Sequence, residues 1–544
     1  MKKLLLYICV SLHVLGLKAQ NGDVIPRPKL VVGIVVDQMR WDYLYKYYGR
    51  YGNNGFKRLL NDGFNCQNAM INYLPTFTGP GHACVYTGSV PAIHGIAAND
   101  WITEHSRDGI YCVEDNKVKS VGGSVKAGSM SPRNMYTTTV TDELKIATQQ
   151  RAKVFGIGIK DRGSILPAGH AANGAFWFDD STGNFITSSY YMNDLPGWLS
   201  KFNSKRWADT FMERVWHPLY PLNTYVNSTA DNMITEGKLP GEDLPVFPHK
   251  TPKVKGRGYY GIRYMPWGNT ITFKAARYCI KGEQLGQRNV TDFLCITLST
   301  TDYAGHNYGP DAVEVEDMYL RLDAELEAFL AYLDKRVGKG AYTVMLTADH
   351  GAANNAGYMN SLKIPAGSET QAEATDNLNA YLKEKYGSDS LVTALYNYQV
   401  YLDEQRIAAK GIDREELKTK VTEWLYRQDG VGFVVDMEDM DDAVVPEPIR
   451  TMIINGHNKE RSGCIQVIMK PGWYSGHSNT GTTHGTWNPY DTHIPLLFYG
   501  WGVKPGETYR TVHMTDIAPT LAALLHIQMP NGCVGQVITE VLAK

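Results

Sequence analysis

The chain has 544 residues, of which 43% are hydrophobic and 20% charged, with 52 Gly and 25 Pro. This composition excludes collagen-like, coiled-coil and wholly disordered proteins. The formal net charge of −2 leaves no basic surplus, which argues against binding to nucleic acid or to an anionic membrane surface. The length allows either several domains or one large domain with insertions.

The first residues have the pattern of a secretory signal peptide. Lys2 and Lys3 precede an apolar stretch over residues 4–17, which is too short to span a bilayer comfortably, and the small residue Ala19 follows. We therefore predict a signal peptide over residues 1–19 and an exported, periplasmic protein without a membrane anchor. Because Leu17 is bulky, the exact cleavage site stays open. The seven cysteines after Cys9 form no CxxC pair, which argues against a thiolate zinc site. The pairing of these cysteines in disulfides stays open.

Apolar runs that end in a polar residue alternate with helical patterns along the chain. The runs cover residues 30–36, 153–159, 293–298, 342–348, 463–469 and 494–499, and each is typical of a buried parallel strand. Helical patterns cover residues 138–150, 313–336 and 515–526. This alternation predicts an α/β fold with a doubly wound, mostly parallel sheet flanked by helices.

The remaining segments are predicted to be insertions in a single catalytic domain over residues 23–544. They lie near 175–290 and 355–460, where the strand and helix alternation is interrupted. Residues 175–191 predict a hairpin around Ser181-Thr182-Gly183. We expect these insertions to act as caps on one core.

Polar residues follow four of the predicted strands, at Asp37, Lys160, Asp302 and Asp349. Open α/β sheets place their sites at the carboxyl ends of the strands. A single residue of this kind is more often part of a turn. Four of them spread over more than 300 residues favour a shared site.

Carboxylates and imidazoles occur together at these strand ends. Asp302 and His306 lie four residues apart, Asp349 and His350 are adjacent, and His484 lies in a glycine-containing loop. Mixed carboxylate and imidazole ligands suit zinc at a hydrolytic site, where one coordination position stays open. Each short motif alone is a weak signal. Their joint placement carries the prediction of a metal site.

A hydroxyl group precedes a short helical pattern in the segment Thr76-Phe-Thr-Gly-Pro-Gly-His82. Pro80 suits a first helical turn, which places Thr78 at a helix N-terminus, where an anion is favoured. Thr78 next to a divalent cation could act as a nucleophile on phosphorus. The alternative is that Thr78 is only an N-cap.

Two cations follow the second predicted strand in Lys160-Asp161-Arg162. If the extended geometry continues, Lys160 and Arg162 point the same way and could bind one dianionic phosphoryl group. A solvated charged turn is the commoner arrangement for such a tripeptide. Asn99 could donate its amide to a further phosphoryl oxygen, although Asn in a loop often serves the turn itself.

In this order, these motifs resemble the alkaline phosphatase superfamily, and within it the PafA-type periplasmic phosphatases with a threonine nucleophile. The motifs are Asp37 after its strand, TFTGPGH, AANDW around Asn99, KDR, DYAGH, ADHG and the THG loop. The resemblance extends from about Lys29 to about Leu525.

The resemblance implies a role for each matched residue. Thr78 would be the nucleophile that forms a covalent phosphothreonine, and Asn99, Lys160 and Arg162 would bind the non-bridging phosphoryl oxygens. Two zinc ions are implied, and we expect no structural magnesium because the sequence offers no convincing further ligand set. One zinc ion would be held by Asp37, Thr78, Asp349 and His350, and the other by Asp302, His306 and His484.

Phosphate monoesters are therefore the expected small-molecule substrates. A phosphodiesterase of the same superfamily and a phosphonate hydrolase are the alternatives, and the two cations Lys160 and Arg162 favour the dianionic monoester. A sulfatase is disfavoured because TFTGPGH lacks the C/S-x-P-x-R pattern. A non-catalytic binding protein on the same scaffold would require a lost ligand or nucleophile, which the sequence does not show. The physiological substrate and the oligomeric state stay open, with a monomer as a reasonable expectation.

Overall fold

The computed structural model describes residues 25–103, 106–256, 258–440, 443–476 and 480–543, so the predicted signal peptide lies outside the described residues. A ten-stranded sheet forms the centre of this part of the chain. Its strands in chain order are β1 (Leu30–Val36), β2 (Phe64–Cys66), β3 (Ser120–Val121), β4 (Val154–Gly158), β5 (Gly174–Asp179), β6 (Asn184–Ser188), β7 (Asp292–Leu298), β8 (Tyr342–Thr347), β9 (Leu496–Gly500) and β10 (Gly506–Thr508). Their order across the sheet is β10-β2-β9-β8-β1-β7-β4-β5-β6-β3.

The five central strands β8, β1, β7, β4 and β5 are parallel. Every residue of β1, β7 and β8 is buried, as expected for apolar strands covered on both faces. Val36 at the end of β1 pairs with Leu298 at the end of β7, so the carboxyl ends lie at one edge. The predicted α/β fold with a doubly wound sheet is confirmed.

Helices pack around this sheet and contribute to one large hydrophobic core. Those used below are α1 (Thr78–Thr87), α2 (Val140–Ala147), α3 (Asp161–Ala168), α4 (Trp267–Glu283), α5 (Thr300–Tyr308), α6 (Val313–Leu333) and α7 (Ile517–Leu525). The predicted helices correspond to α2, α6 and α7, each a few residues shorter than its pattern. None of the helices in the described ranges combines the length and apolar composition that a bilayer crossing requires.

Two predicted parallel strands have a different pairing in the structure. Strand β9 lies in the main sheet but runs antiparallel to β8 and β2. The other strand, Ile465–Met469, belongs to a separate antiparallel sheet with Val392–Tyr396, Gln399–Leu402 and Val431–Asp436. The prediction was wrong because an apolar run reports burial on both faces and carries no information on strand direction.

The second sheet has a hydrophobic core of its own within the insertion near 355–460. Helices Gln371–Tyr386, Glu404–Lys410 and Arg414–Leu425 pack against it through Leu378 and Val421, among others. Strands β5 and β6 of the central sheet form the predicted hairpin, with Asp179 paired to Asn184 next to the turn. The seven cysteines of the described chain are free thiols.

The helix that carries Thr78 lies in direct contact with the end of β8. A Cβ atom added at Gly81 would lie 2.5 Å from the backbone oxygen of Asp349 and 2.7 Å from its Cβ. The first is a backbone atom and the second is bonded directly to the backbone, so neither can move freely. Gly81 therefore permits the close approach of α1 to the strand end.

We expect Gly81→Ala to lower the melting temperature, although glycine to alanine in a helix interior normally adds about 1 kcal/mol of stability. The steric overlap should cost about 1–3 kcal/mol instead. Differential scanning fluorimetry measures the change. Gly49→Ala is the control, because a Cβ there meets no atom within 4 Å. An unchanged or raised melting temperature for Gly81→Ala would contradict this account of the contact.

A buried charged cluster joins the first insertion to the core helix α6. His249 lies between two carboxylates, with Nδ1 3.0 Å from Glu242 Oε1 and Nε2 3.1 Å from Glu314 Oε1. Glu236 lies nearby and is only 3% exposed. Burial, and then the Glu314 carboxylate, raise the pKa of Glu236 to about 8.

This raised pKa makes the folded protein less stable as the pH rises to about 8. Between pH 4.5 and 8 the folded chain keeps a proton on Glu236 that the unfolded chain has lost, so stability falls as pH rises through this window. Glu236→Gln carries no charge at any pH. We expect its melting temperature at pH 9 to exceed that of the wild type by roughly 1–3 °C.

The advantage of Glu236→Gln should shrink towards pH 5, where Glu236 keeps its proton in the folded protein. Glu213→Gln is the control, because the Glu213 side chain is 78% exposed. An advantage of the same size at both pH values would show that the Glu236 charge is not its cause.

Candidate active site

Four polar residues meet at the carboxyl edge of the central strands. Asp349, Asp37, Asp302 and Lys160 follow β8, β1, β7 and β4, which are neighbours in that order. The Lys160 ammonium lies 2.8 Å from Asp37 Oδ2 and 2.6 Å from Asp302 Oδ2. Parallel pairing thus brings together residues that are more than 300 positions apart in the sequence.

A first cluster of candidate metal ligands consists of Asp302, His306 and His484. Asp302 and His306 lie four residues apart on α5, and their Oδ1 and Nε2 atoms are 3.2 Å apart. His484 reaches the same carboxylate from its loop, with Nε2 3.8 Å from Asp302 Oδ1. One potential ligand atom from each of the three residues lies within 4.8 Å of the others.

A second cluster lies beside the first and includes Asp37, Asp349 and His350. His350 Nε2 is 3.7 Å from Asp37 Oδ1 and 3.4 Å from Asp349 Oδ2. Asp37, His350 and the shared Asp302 also offer ligand atoms within 4.8 Å of one another. The rings of His350 and His484 stack with centroids 3.5 Å apart, so the two clusters are contiguous.

All three imidazoles are oriented through Nδ1. A carbonyl oxygen only accepts, so each Nδ1 carries a proton and donates it, and each Nε2 is the ring nitrogen that faces the carboxylates. Histidines that bind a metal normally have their other ring nitrogen hydrogen-bonded in this way. The pairs are His306 with Thr482 at 2.8 Å, His484 with Thr76 at 2.7 Å and His350 with Gly351 at 3.0 Å.

Thr78 is the first residue of α1 and lies beside the second cluster. Its Oγ1 is 3.3 Å from His350 Nε2, and the residue is 1% exposed. The N-cap of α1 is Phe77, which makes no side-chain capping bond. The alternative that Thr78 is only an N-cap is therefore wrong, and its hydroxyl is not used for capping.

The extended geometry of Lys160 does not continue to Arg162, as the prediction required. Lys160 is the N-cap of α3, with φ −76° and ψ 133°, and Arg162 is the second residue of that helix. The prediction of a continued extended segment was wrong because the end of the apolar run at β4 does not show that α3 begins at Asp161. Even so, both side chains line one cavity of about 580 Å³.

Asn99 lies close to the N-terminus of α1. Its Oδ1 accepts a hydrogen bond of 2.8 Å from the backbone N–H of Gly79. This bond uses the carbonyl end of the side chain, so the amide NH₂ is the end that can donate to a ligand. The bond also ties the Asn99 loop to the helix that begins at Thr78.

The structure adds residues whose role the sequence did not reveal. Gln38 has φ 64° and bridges two strand ends, since its N–H donates to Asp349 Oδ1 at 3.1 Å and its Nε2 to Asp302 Oδ1 at 2.8 Å. Tyr111 accepts a 3.0 Å hydrogen bond from Arg162 Nη1. His82 Nδ1 lies 3.3 Å from Asp349 Oδ2. Of these three residues, only His82 belongs to a motif given in the sequence analysis, TFTGPGH. Contacts between residues far apart in the sequence leave no periodic pattern that would have revealed the others.

The electrostatics show that the site is short of positive charge. Burial, and then Asp349, raise the pKa of Asp37 well above its usual value. Burial also opposes ionisation of Asp302, but Lys160 and then His306 hold its pKa well below the usual value. Asp37 is fully buried, and its Oδ1 accepts no hydrogen bond from the described residues.

The donor set fits a bound divalent cation. Three carboxylates, and three imidazoles whose Nε2 atoms face them, match the oxygen and nitrogen ligands that zinc takes, and none of these groups is a thiolate. A cation would also compensate the buried Asp37 oxygen, which is otherwise costly. The sheet, the strand-end ligands and the helix that begins at Thr78 together define an alkaline phosphatase-like α/β protein.

Comparisons with known proteins agree with this class. A family model described as type I phosphodiesterase / nucleotide pyrophosphatase matches residues 31–493. A Myroides odoratus protein named Calcium-transporting ATPase is 50% identical over 96% of this chain and 96% of that protein. Alkaline phosphatase PafA of Elizabethkingia meningoseptica is 48% identical over 100% of this chain and 99% of the relative.

The crystal structure of wild-type alkaline phosphatase PafA superposes with a TM-score of 0.93 at 48% identity, covering 96% of this chain and 100% of that chain. The chain belongs to the type I phosphodiesterase / nucleotide pyrophosphatase family within the alkaline phosphatase superfamily. The resemblance stated from the sequence motifs is confirmed.

Proposed function

We propose that the chain is a metal-dependent alkaline phosphatase that hydrolyses phosphate monoesters through a covalent phosphothreonine on Thr78. The observation that carries this is the buried Thr78 hydroxyl, 3.3 Å from His350 Nε2 and beside the cluster of strand-end carboxylates. The 48% identity with alkaline phosphatase PafA over the full chain supports the same activity.

The metal ligands divide into two sets. Asp37, Asp349 and His350, together with Thr78, would hold one zinc ion. Asp302, His306 and His484 would hold the other, and we infer no structural magnesium. When bound, the two ions supply Lewis-acid stabilisation of the entering and departing oxygens.

Thr78 supplies the nucleophilic oxygen. A new bond forms between its Oγ and phosphorus while the bond from phosphorus to the alcohol oxygen breaks, and the alcohol leaves. Water then hydrolyses the phosphothreonine, which restores Thr78 and releases inorganic phosphate. The position of Thr78 at the N-terminus of α1 supports this role, because free amides and the helix dipole favour an anion there.

Asn99, Lys160 and Arg162 bind the non-bridging phosphoryl oxygens in this proposal. The Asn99 amide NH₂ is available for donation, and Lys160 lies between the carboxylates of both ligand sets. The buried Nε–H of Arg162 donates no hydrogen bond to the described residues, which leaves it for an oxygen of the substrate. A phosphate monoester is a dianion, and two cations neutralise its oxygens as they gain charge.

A phosphodiesterase is the second candidate, because the matching family model is described as type I phosphodiesterase / nucleotide pyrophosphatase. A diester carries one negative charge and gains less from Lys160 and Arg162. The same ligands and nucleophile would serve a phosphonate hydrolase, which stays as a further alternative.

The leader-like residues 1–19 support export to the periplasm.

The deciding experiment compares kcat/KM for a matched phosphate monoester and diester. In Lys160→Ala plus Arg162→Ala, we expect kcat/KM for the monoester to fall by at least about 100-fold, and that for the diester by less than about tenfold. The reason is that Lys160 and Arg162 neutralise the phosphoryl oxygens, which carry two negative charges in the monoester and one in the diester. Thr78→Ala, which removes the nucleophile, sets the background rate. Equal losses for both substrates, or a wild-type preference for the diester, would favour the phosphodiesterase.

Metal content gives a separate check of the ligand assignment. We expect the purified wild type to retain about two zinc ions per chain, and His484→Asn to retain fewer, because one Nε2 ligand is lost. Inductively coupled plasma mass spectrometry after dialysis against a weak chelator measures this. His217→Asn is the control, because His217 is exposed and belongs to neither cluster. Equal zinc in wild type and His484→Asn would remove His484 from the ligand set.

A further inference from the structure

Tyr303 connects the candidate active site to the first insertion. It follows Asp302 on α5, and its ring lies beside two cations. Lys160 Nζ is 5.2 Å from the ring centroid, and the Arg263 guanidinium carbon is 5.5 Å from it. Both distances fall within the range of cation–π attraction.

Arg263 is held in a fixed position on the other side of this contact. Its Nη1 donates to the Tyr303 hydroxyl at 2.7 Å, and its Nε donates to Asp180 Oδ1 at 2.7 Å. The side chains of Arg263 and Asp180 are only 11% and 13% exposed. The guanidinium fork is suited to two such partners at once, because its donors are rigid and planar.

Arg263 thereby links three parts of the chain. It lies in a short helix, Tyr260–Tyr264, of the first insertion, while Asp180 follows β5 and Tyr303 lies on α5. Arg263 and Tyr303 also line the cavity of about 580 Å³ that Lys160 and Arg162 line. The first insertion therefore contacts Tyr303, whose ring lies beside Lys160.

The ammonium of a lysine lies at the end of a flexible stem, so each contact restricts its position further. The carboxylates of Asp37 and Asp302 attract it from the strand ends. The Tyr303 ring is a further contact that restricts where the ammonium can lie. The rings of Tyr260 and Tyr264 pack against this ring, with centroids 6.2 and 5.7 Å away, and the Arg263 hydrogen bond adds a polar restraint on its hydroxyl.

We propose that Arg263 is a positioning residue that acts through Tyr303 to orient Lys160, and that it thereby favours dianionic monoesters over diesters. The proposal rests on the role given to Lys160 in the proposed function. It assigns to the first insertion a part in substrate discrimination.

A double-mutant cycle tests the coupling. We expect Arg263→Ala to lower kcat/KM for the monoester by about tenfold and for the matched diester by less than about threefold, because a displaced cation costs most where charge is greatest. In a Lys160→Ala background, Arg263→Ala should cost no more than about a further twofold, since the group it orients is absent. Arg206→Ala is the control, because Arg206 contacts Asp209 and Tyr259 in the same way but is 57% exposed.

A tenfold loss in both backgrounds would overturn the proposal, and so would equal losses for monoester and diester. If Arg263→Ala does not fold, Arg263→Lys replaces it in the same cycle. Lysine keeps the positive charge but lacks the planar guanidinium that binds Tyr303 and Asp180 at once. Lys160→Ala alone separates the two proposals. If it leaves monoester hydrolysis unchanged, the role given to Lys160 in the proposed function fails, whatever the cycle with Arg263 shows.

Discussion

The attraction between the Lys160 ammonium and the buried carboxylates of Asp37 and Asp302 is the interaction on which the site depends. Parallel strands place like charges at one edge, where burial makes their repulsion costly. Lys160 compensates part of this charge, and its contacts at 2.8 and 2.6 Å connect three strand ends. The rest of the negative charge is what makes the edge a good site for cations.

The imidazoles connect this edge to the surrounding loops. His484 is oriented by the carbonyl of Thr76, two residues before Thr78, and His306 by the carbonyl of Thr482. The backbone that carries the nucleophile candidate therefore also orients a ligand of the neighbouring cluster. A shift of the backbone at Thr76 would therefore change the orientation of His484 and the position of Thr78 together.

The sequence allows the sheet and most of the site to be predicted, because buried strands and the polar residues after them are local signals. Asp37 and Asp302 were found in this way. The direction of the strand at 465–469 was not, since its pairing with an insertion sheet is set by partners far away in the sequence. Likewise Gln38 and Arg263 reach the site through tertiary contacts, which leave no mark on periodicity.

The polar groups of the site are drawn from almost the whole polypeptide, between Asp37 and His484. A nascent chain still lacking the segment around His484 has only part of the constellation, however well its first strands have folded. Under the proposed ligand assignment, full ion-binding capacity requires that most of the polypeptide has been synthesised. Incomplete translation products or proteolytic fragments would then be poor competitors for scarce metal.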